Sequence, residues 1–239
     1  MKNDLQIIAE IGLHHGGDWK RARDIALTAV DCGATAVKFQ YFTKDDLAER
    51  PQTSGWEALS MYHLTLQDIG KAGSRILYGC SVFGPTGLCD VFANAHRMEF
   101  IKIPAPLSGS GWFTNASQIL GIPIMVSYYP TQEIVYRGVH TALHCTNLYP
   151  TPDTDLHLGR ISTFPDLGAP VGWSCHAEPR AIRTPELACL AYAAGARVFE
   201  FHFRDDKVPL DSPDYGVSLW PALLANTVQE LRKCAEVMG

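Results

Sequence analysis

The sequence predicts an α/β fold, a (β/α)8 (TIM) barrel formed as a single domain over residues 1–239. Three observations carry this. Eight short apolar runs of strand length recur along the chain. Most are separated by stretches long enough for a helix, and 239 residues is an ordinary length for such a barrel. A doubly wound open sheet is the alternative, but no G-x-G-x-x-G follows the first strand, which weakens a dinucleotide reading.

In chain order, LQIIAEIG (5–12) reads as the first strand. Residues 18–32 then place Trp19, Ala22, Ile25, Ala26, Ala29 and Val30 at helical spacing. ATAVKFQ (34–40) is the second strand, and the polar stretch 43–63 reads as a long loop after it. The remaining strands are RILYGCS (75–81), EFIKIPA (99–105), IPIMVS (122–127), TALHCT (141–146), PVGWSCH (170–176) and ARVFEFHF (196–203). A last helix over 219–237 aligns Leu219, Leu223, Leu224, Val228 and Leu231 on one face.

Composition narrows the partners. With 46% hydrophobic residues the chain has material for a sizeable core. The net charge is −5 and Lys and Arg are scattered, so no nucleic-acid partner is expected. Seven cysteines, an odd number without a C-x-x-C pair, argue against a disulfide framework or zinc ribbon and for reduced thiols in a cytoplasmic protein. The N-terminal apolar run is too short for a signal peptide, and no stretch is expected to span a membrane.

The chemistry concentrates at the strand ends, where barrels of this kind place their sites. Side chains two apart on a strand share a face. In VFEFHF, Glu200 and His202 therefore take one face while Phe199, Phe201 and Phe203 take the other. Strand one ends with Glu10, strand two with Lys38 and Gln40, strand three with Ser81, strand four with Lys102 and strand five with Ser127. Strand six runs into Asn147 and Tyr149, and strand seven ends with Ser174 and His176. One polar residue at a strand end means little; the convergence of nearly all eight strands is the signal.

The segment IIAEIGLHHGGDWKRARDIALTAVDCGATAVKFQYF resembles the opening of the sialic acid synthases. LHCTNLYPTPDTDLHL, PVGWSCH and VFEFHF are similar to that family's sixth-, seventh- and eighth-strand motifs, in the family's order. The resemblance implies condensation of phosphoenolpyruvate with an aldehyde acceptor, releasing phosphate and forming a 2-keto acid. It implies Lys38, Ser127, Asn147, Tyr149 and Ser174 around phosphoenolpyruvate, and a divalent metal, Mn2+ or Mg2+, on His176 and His202. Gln40, Ser81 and Lys102 join the substrate-binding set, and Glu10, Lys38 and Glu200 the catalytic one. A homodimer is compatible with this reading. A metal-dependent lyase or isomerase on the same barrel, and a non-catalytic ligand-binding relative, remain open as alternatives. His14 and His15 stand where the family usually has Asn-His, so a loop histidine there is a further site candidate. His63, His96, His140 and His157 read as surface or packing residues.

The chain also departs from the family. Strand seven reads Ser174-Cys175-His176 where Ser-Asp-His is usual. On strand eight Phe201 replaces a lysine and Arg204 a threonine. Ile122 and the Tyr128-Tyr129 pair replace a Lys-Pro and Ser-Thr-Gly pattern around strand five. The sequence ends at Gly239, so the family's C-terminal antifreeze-like domain is expected to be missing. Arg204, Arg180 or Arg183 could restore positive charge near a phosphate. The tyrosine pair is expected to narrow the pocket or give it an aromatic wall and, with the missing C-terminal domain, to select an acceptor other than N-acetylmannosamine.

Overall fold

The computed structural model describes residues 5–48, 55–94, 98–110, 112–113, 121–133, 138–164, 168 and 170–238. Eight parallel strands close into a barrel in chain order. They are β1 (Gln6–Glu10), β2 (Ala36–Tyr41), β3 (Tyr78–Val82), β4 (Phe100–Ile103), β5 (Ile124–Tyr128), β6 (Thr141–His144), β7 (Val171–Cys175) and β8 (Val198–His202). Seven begin and end within two residues of the runs read from the sequence, and β3 begins three residues later than its run.

The helical layer is uneven. The Trp19–Asp31 helix starts at Asp18, whose side chain accepts from the Lys20 amide at 2.8 Å. It buries Ala22, Ile25, Ala26 and Ala29, four of the residues at helical spacing. The Arg183–Ala193 and Pro221–Met238 helices pack on each other. Residues 43–63, read as loop, hold two 3-10 turns and a one-turn helix, Trp56–Leu59, in their described part. Between β6 and β7 the described residues form 3-10 turns only. No helix among the described residues is long and apolar enough to cross a membrane, and no disulfide forms among them.

The period of two builds two cores. Outward residues such as Val37, Ile101, Val126, Trp173, Phe199, Phe201 and Phe203 pack against the helices. Inward residues Ile8, Ala36, Phe100, Met125, Leu143 and Val198 fill the barrel floor. Gly79 and Gly172 belong to the inner surface; a Cβ on Gly79 would sit 2.4 Å from the Phe100 carbonyl oxygen, and one on Gly172 2.2 Å from that of Val198. Neighbouring backbone, with the Phe100 ring at Gly79 and the Leu143 side chain at Gly172, comes too close there for any side chain.

The register then stacks the polar residues one level above this floor. Glu10 pairs with Lys38 on one side and His202 on the other. Gln40 pairs with Ser81, Ser81 with Lys102, and Ser174 with Glu200. Because strands lie less than about 5 Å apart, in-register inward residues must touch.

Candidate active site

Above the apolar floor opens a cavity of about 440 Å3. Glu10, Lys38, Gln40, Ser81, Lys102, Tyr149, Glu200, His202 and Asp214 line it with polar groups, and Leu13, Leu59, Phe83, Pro104 and Pro213 with apolar ones.

Its centre is a charge network. The Lys38 Nζ contacts the Glu10 carboxylate, donates to Ser81 Oγ at 2.5 Å and lies 3.7 Å from Glu200 Oε2. Lys102 Nζ stands 3.3 Å from Glu200 Oε1, and Ser174 Oγ donates to that oxygen at 2.8 Å. The Gly12 amide donates to Glu10 Oε1 at 2.7 Å. Burial alone would raise the Glu200 carboxyl, but Lys102 and then Lys38 outweigh it and hold it far below the ordinary range. Burial brings the Lys38 ammonium down to about 7, with Glu200 opposing. Two cations sunk in a barrel with two carboxylates cost desolvation energy that their mutual attraction offsets only in part. Such strain is characteristic of sites built for a charged ligand.

His176 lies one residue beyond β7. Its carbonyl accepts from the Thr151 amide at 2.8 Å, and its Nδ1 donates to the Thr146 carbonyl at 2.7 Å. That bond leaves a lone pair on Nε2, which receives the Tyr149 hydroxyl at 2.7 Å. His202 ends β8 with its ring centroid 5.6 Å from that of His176 and its Nδ1 3.8 Å from Asp214 Oδ2. The His202 Nδ1 is buried without a hydrogen-bond partner among the described residues. Burial lowers His176 to about 4; it pushes His202 well below its ordinary value, with the neighbouring His176 adding to it. Both rings are neutral at neutral pH, the form that binds a cation. Among the described residues no group of three His, Cys, Asp or Glu side chains is arranged to hold a metal. Two neutral imidazoles are the donor set the site offers, with the His176 Nε2 lone pair engaged by the Tyr149 hydroxyl.

Not every residue read from the sequence arrives here. Ser127 is buried at the end of β5 but is not part of the cavity wall. Asn147 is exposed and lines a neighbouring depression of about 360 Å3 with Tyr129, Asp155 and His157. Arg204 stacks over the Tyr215 ring at 4.0 Å, and Arg180 and Arg183 pair with Asp153 at the surface. None of the three arginines reaches the cavity, which draws its cations from Lys38 and Lys102. Tyr128 is buried in the outer core and Tyr129 lies in the depression, so the tyrosine pair does not narrow the cavity. Cys175 and Phe201 also face the helices, because odd positions on β7 and β8 point outward.

Four histidines are structural. His14 bonds Ser212 and Ser218, His63 packs among Tyr41, Phe42 and Trp56, His140 accepts from the Ile124 amide, and His144 bonds the Leu156 carbonyl. His96 lies outside the described residues. The residue that sequence reasoning missed is Asp214, in a left-handed conformation (φ 63°) in the segment after β8. Burial raises its carboxyl, with Lys38 opposing. The Asp-Ser-Pro-Asp turn cluster at 211–214 was the available signal.

Fold and site together define a (β/α)8-barrel enzyme with its polar groups gathered at the carboxyl ends of the strands. Residues 132–239 match the NeuB family. The chain is 30% identical to N,N'-diacetyllegionaminic acid synthase of Legionella pneumophila, over 98% of this chain and 73% of that protein. It is 29% identical to mouse N-acetylneuraminate-9-phosphate synthase, over 100% of this chain and 72% of that protein. Its fold superposes on the sialic acid synthetase of Leptospira borgpetersenii with a TM-score of 0.82, at 23% identity over 98% of this chain and 85% of that one. The chain belongs to the NeuB family.

Proposed function

We propose that this protein joins phosphoenolpyruvate to the carbonyl carbon of a sugar-like aldehyde, releasing phosphate and a 2-keto acid. The observation that carries the reading is the pairing of Lys38 and Lys102 with Glu10 and Glu200 in one cavity, beside two neutral imidazoles. Relatives named as legionaminic acid and N-acetylneuraminate-9-phosphate synthases support it.

In this reading Lys38 and Lys102 hold the phosphate and carboxylate of phosphoenolpyruvate, Ser81 donates to their oxygens, and Ser174 keeps Glu200 oriented. The same reading puts the acceptor on the other side, beside Asp214 and away from the two lysines. Asp214 there repels anions but accepts hydrogen bonds from the hydroxyls of an uncharged sugar. C3 of phosphoenolpyruvate attacks the aldehyde carbon, and the carbonyl oxygen takes up a proton. Water adds to the resulting cationic C2 and gives up a proton, and the tetrahedral centre expels phosphate. Lys38, brought near neutrality by burial, is placed to carry one of these protons. The two glutamates keep it oriented. His176 and His202 would hold a divalent cation, whose chemistry is to polarise the aldehyde. Removing bulk water from these groups strengthens each electrostatic contact.

Release of inorganic phosphate over a panel of aldehydes, with manganese, with magnesium and with chelator, tests this. Metal-dependent release with at least one sugar aldehyde is expected. Turnover of an aldehyde or keto acid without phosphate would mark a lyase or isomerase. Binding of phosphoenolpyruvate with no turnover of any acceptor would mark a ligand-binding relative.

A further inference from the structure

We infer that His14 is a positioning residue: it clasps the segment after β8 over the acceptor side of the cavity, and thereby sets affinity for the acceptor rather than for phosphoenolpyruvate. The acceptor part of this rests on the proposed condensation; the clasp itself does not.

His14 is buried outside the cavity wall. Its Nδ1 lies 2.8 Å from Ser212 Oγ and its Nε2 2.8 Å from Ser218 Oγ. The proton positions follow from counting donors. Ser218 Oγ donates its one proton to the Asp214 carbonyl, at 2.7 Å. It must therefore accept from His14, so Nε2 carries the ring proton. Nδ1 is then a lone pair, and Ser212 donates to it. A single neutral imidazole thus ties both ends of Ser212–Ser218 to the loop that follows β1.

That short segment reaches the cavity. Pro213 and Asp214 line it, and Asp214 Oδ2 faces His202 Nδ1 at 3.8 Å. A Cβ on Gly12 would stand 3.5 Å from the same Asp214 oxygen, so the carboxylate lies directly over the β1 loop that carries His14. Asp214 has a left-handed backbone, which costs energy for a residue with a side chain and persists only when its surroundings enforce it. The clasp supplies that enforcement from one side. On the other, Arg204 stacks on Tyr215, and Arg21 pairs with Asp205 at the root of the segment. Lys38, Ser81 and Lys102 hang on β2, β3 and β4 and have no bond to this segment. Loosening it should spare the phosphoenolpyruvate side.

His14→Phe keeps the ring and removes both bonds, whereas His14→Gln restores one donor and one acceptor. Losing two neutral hydrogen bonds should raise the acceptor KM roughly tenfold in His14→Phe. The phosphoenolpyruvate KM should stay within about twofold, and His14→Gln should recover part of the loss. In the free protein, amide hydrogen exchange over residues 212–218 should be faster in His14→Phe while β2 to β4 stay unchanged. Equal rises in both KM values would reduce His14 to a general structural role, and unchanged exchange over 212–218 would overturn the clasp. If the wild type releases no phosphate with any aldehyde, the acceptor role falls with the proposed function. Exchange then decides the clasp by itself.

Discussion

Lys102 and Glu200 meet at 3.3 Å although they stand on strands on opposite sides of the barrel, β4 and β8. The contact crosses the lumen, so it ties the two walls of the cavity through charge rather than through apolar packing. Removing one partner leaves the other buried and less compensated. Lys102→Met should lower stability by about 3 kcal/mol, toward the low end for broken buried pairs because Lys38 remains near Glu200. Adding Glu200→Gln should recover part of that. Urea unfolding of the two variants decides, and a single variant as stable as wild type would show that the pair is solvated.

Lys38 is the cation that touches both glutamates and Ser81. If it holds the phosphate of phosphoenolpyruvate, Lys38→Ala removes charge-assisted bonds of about 1.5–3 kcal/mol, or roughly 10- to 150-fold in affinity. Calorimetry with phosphoenolpyruvate on both proteins measures this. Equal affinities would remove Lys38 from the ligand's reach and leave it a structural counter-ion.

The strands and their inward faces were legible because a barrel strand obeys one rule, alternation, and the inward level is set by register. Glu10, Lys38, Ser81, Lys102, Ser174 and Glu200 all fell on the inward parity and meet inside the barrel. The rule lapses where the strand ends. Asn147 and Tyr149 are two apart, yet only Tyr149 enters the cavity, because both lie beyond β6 in turn structure. Arg204 and Asp214 lie beyond β8, where turns and the bonds of His14 direct the chain. Cys175 and Phe201 depart from the family pattern, but their odd parity sends them to the helices.

Proton competition with a metal occurs at the folded-state pKa of the ligand. Burial lowers His176 to about 4 and puts His202 well below its ordinary value. Manganese affinity should therefore be nearly level from pH 8 to pH 6 and should fall only on approach to about 4. His202→Ala should abolish binding. A titration followed by electron paramagnetic resonance at several pH values checks both, and undiminished manganese occupancy in His202→Ala would assign the two rings to the core.

The same burial makes the fold acid-sensitive. His14, His15 and His176 are lowered from 6.5 to about 4, chiefly by desolvation. Below pH 6.5 the unfolded chain binds protons that the folded protein does not, so stability falls as pH drops through the interval from 6.5 to 4. Each ring contributes on the order of 2–3 kcal/mol by pH 4.5. Carboxylates held low by cations, such as Asp205 beside Arg21, act in a separate and lower window. Burial there works against the depression, Arg21 outweighs it, and stability is lost only as pH falls through the lowered value. Urea midpoints should be level between pH 8 and 7 and decline steadily below 6.5. A flat profile down to pH 5 would mean that these rings are protonated in the fold.

Gly172 tests whether the barrel floor controls the site above it. A Cβ there would sit 2.2 Å from the Val198 carbonyl oxygen and 2.6 Å from Leu143 Cδ2. The first of these is backbone, so a rotamer change cannot relieve the contact. Gly172→Ala must push β8 away from β7 or shift β7 itself. Overpacking of this kind costs about 1–3 kcal/mol. The displacement would not stop at the floor. Gly172 is in register with Val198, and Ser174 with Glu200 two residues above. The 2.8 Å bond from Ser174 to Glu200 spans the gap that would widen. Gly172→Ala should therefore lower both the unfolding free energy and phosphate release. Leu143→Ala, which opens space beside only the second contact, should not rescue it. Recovery in the double variant would show that the side chain of Leu143, and not the backbone of β8, demands glycine at this position.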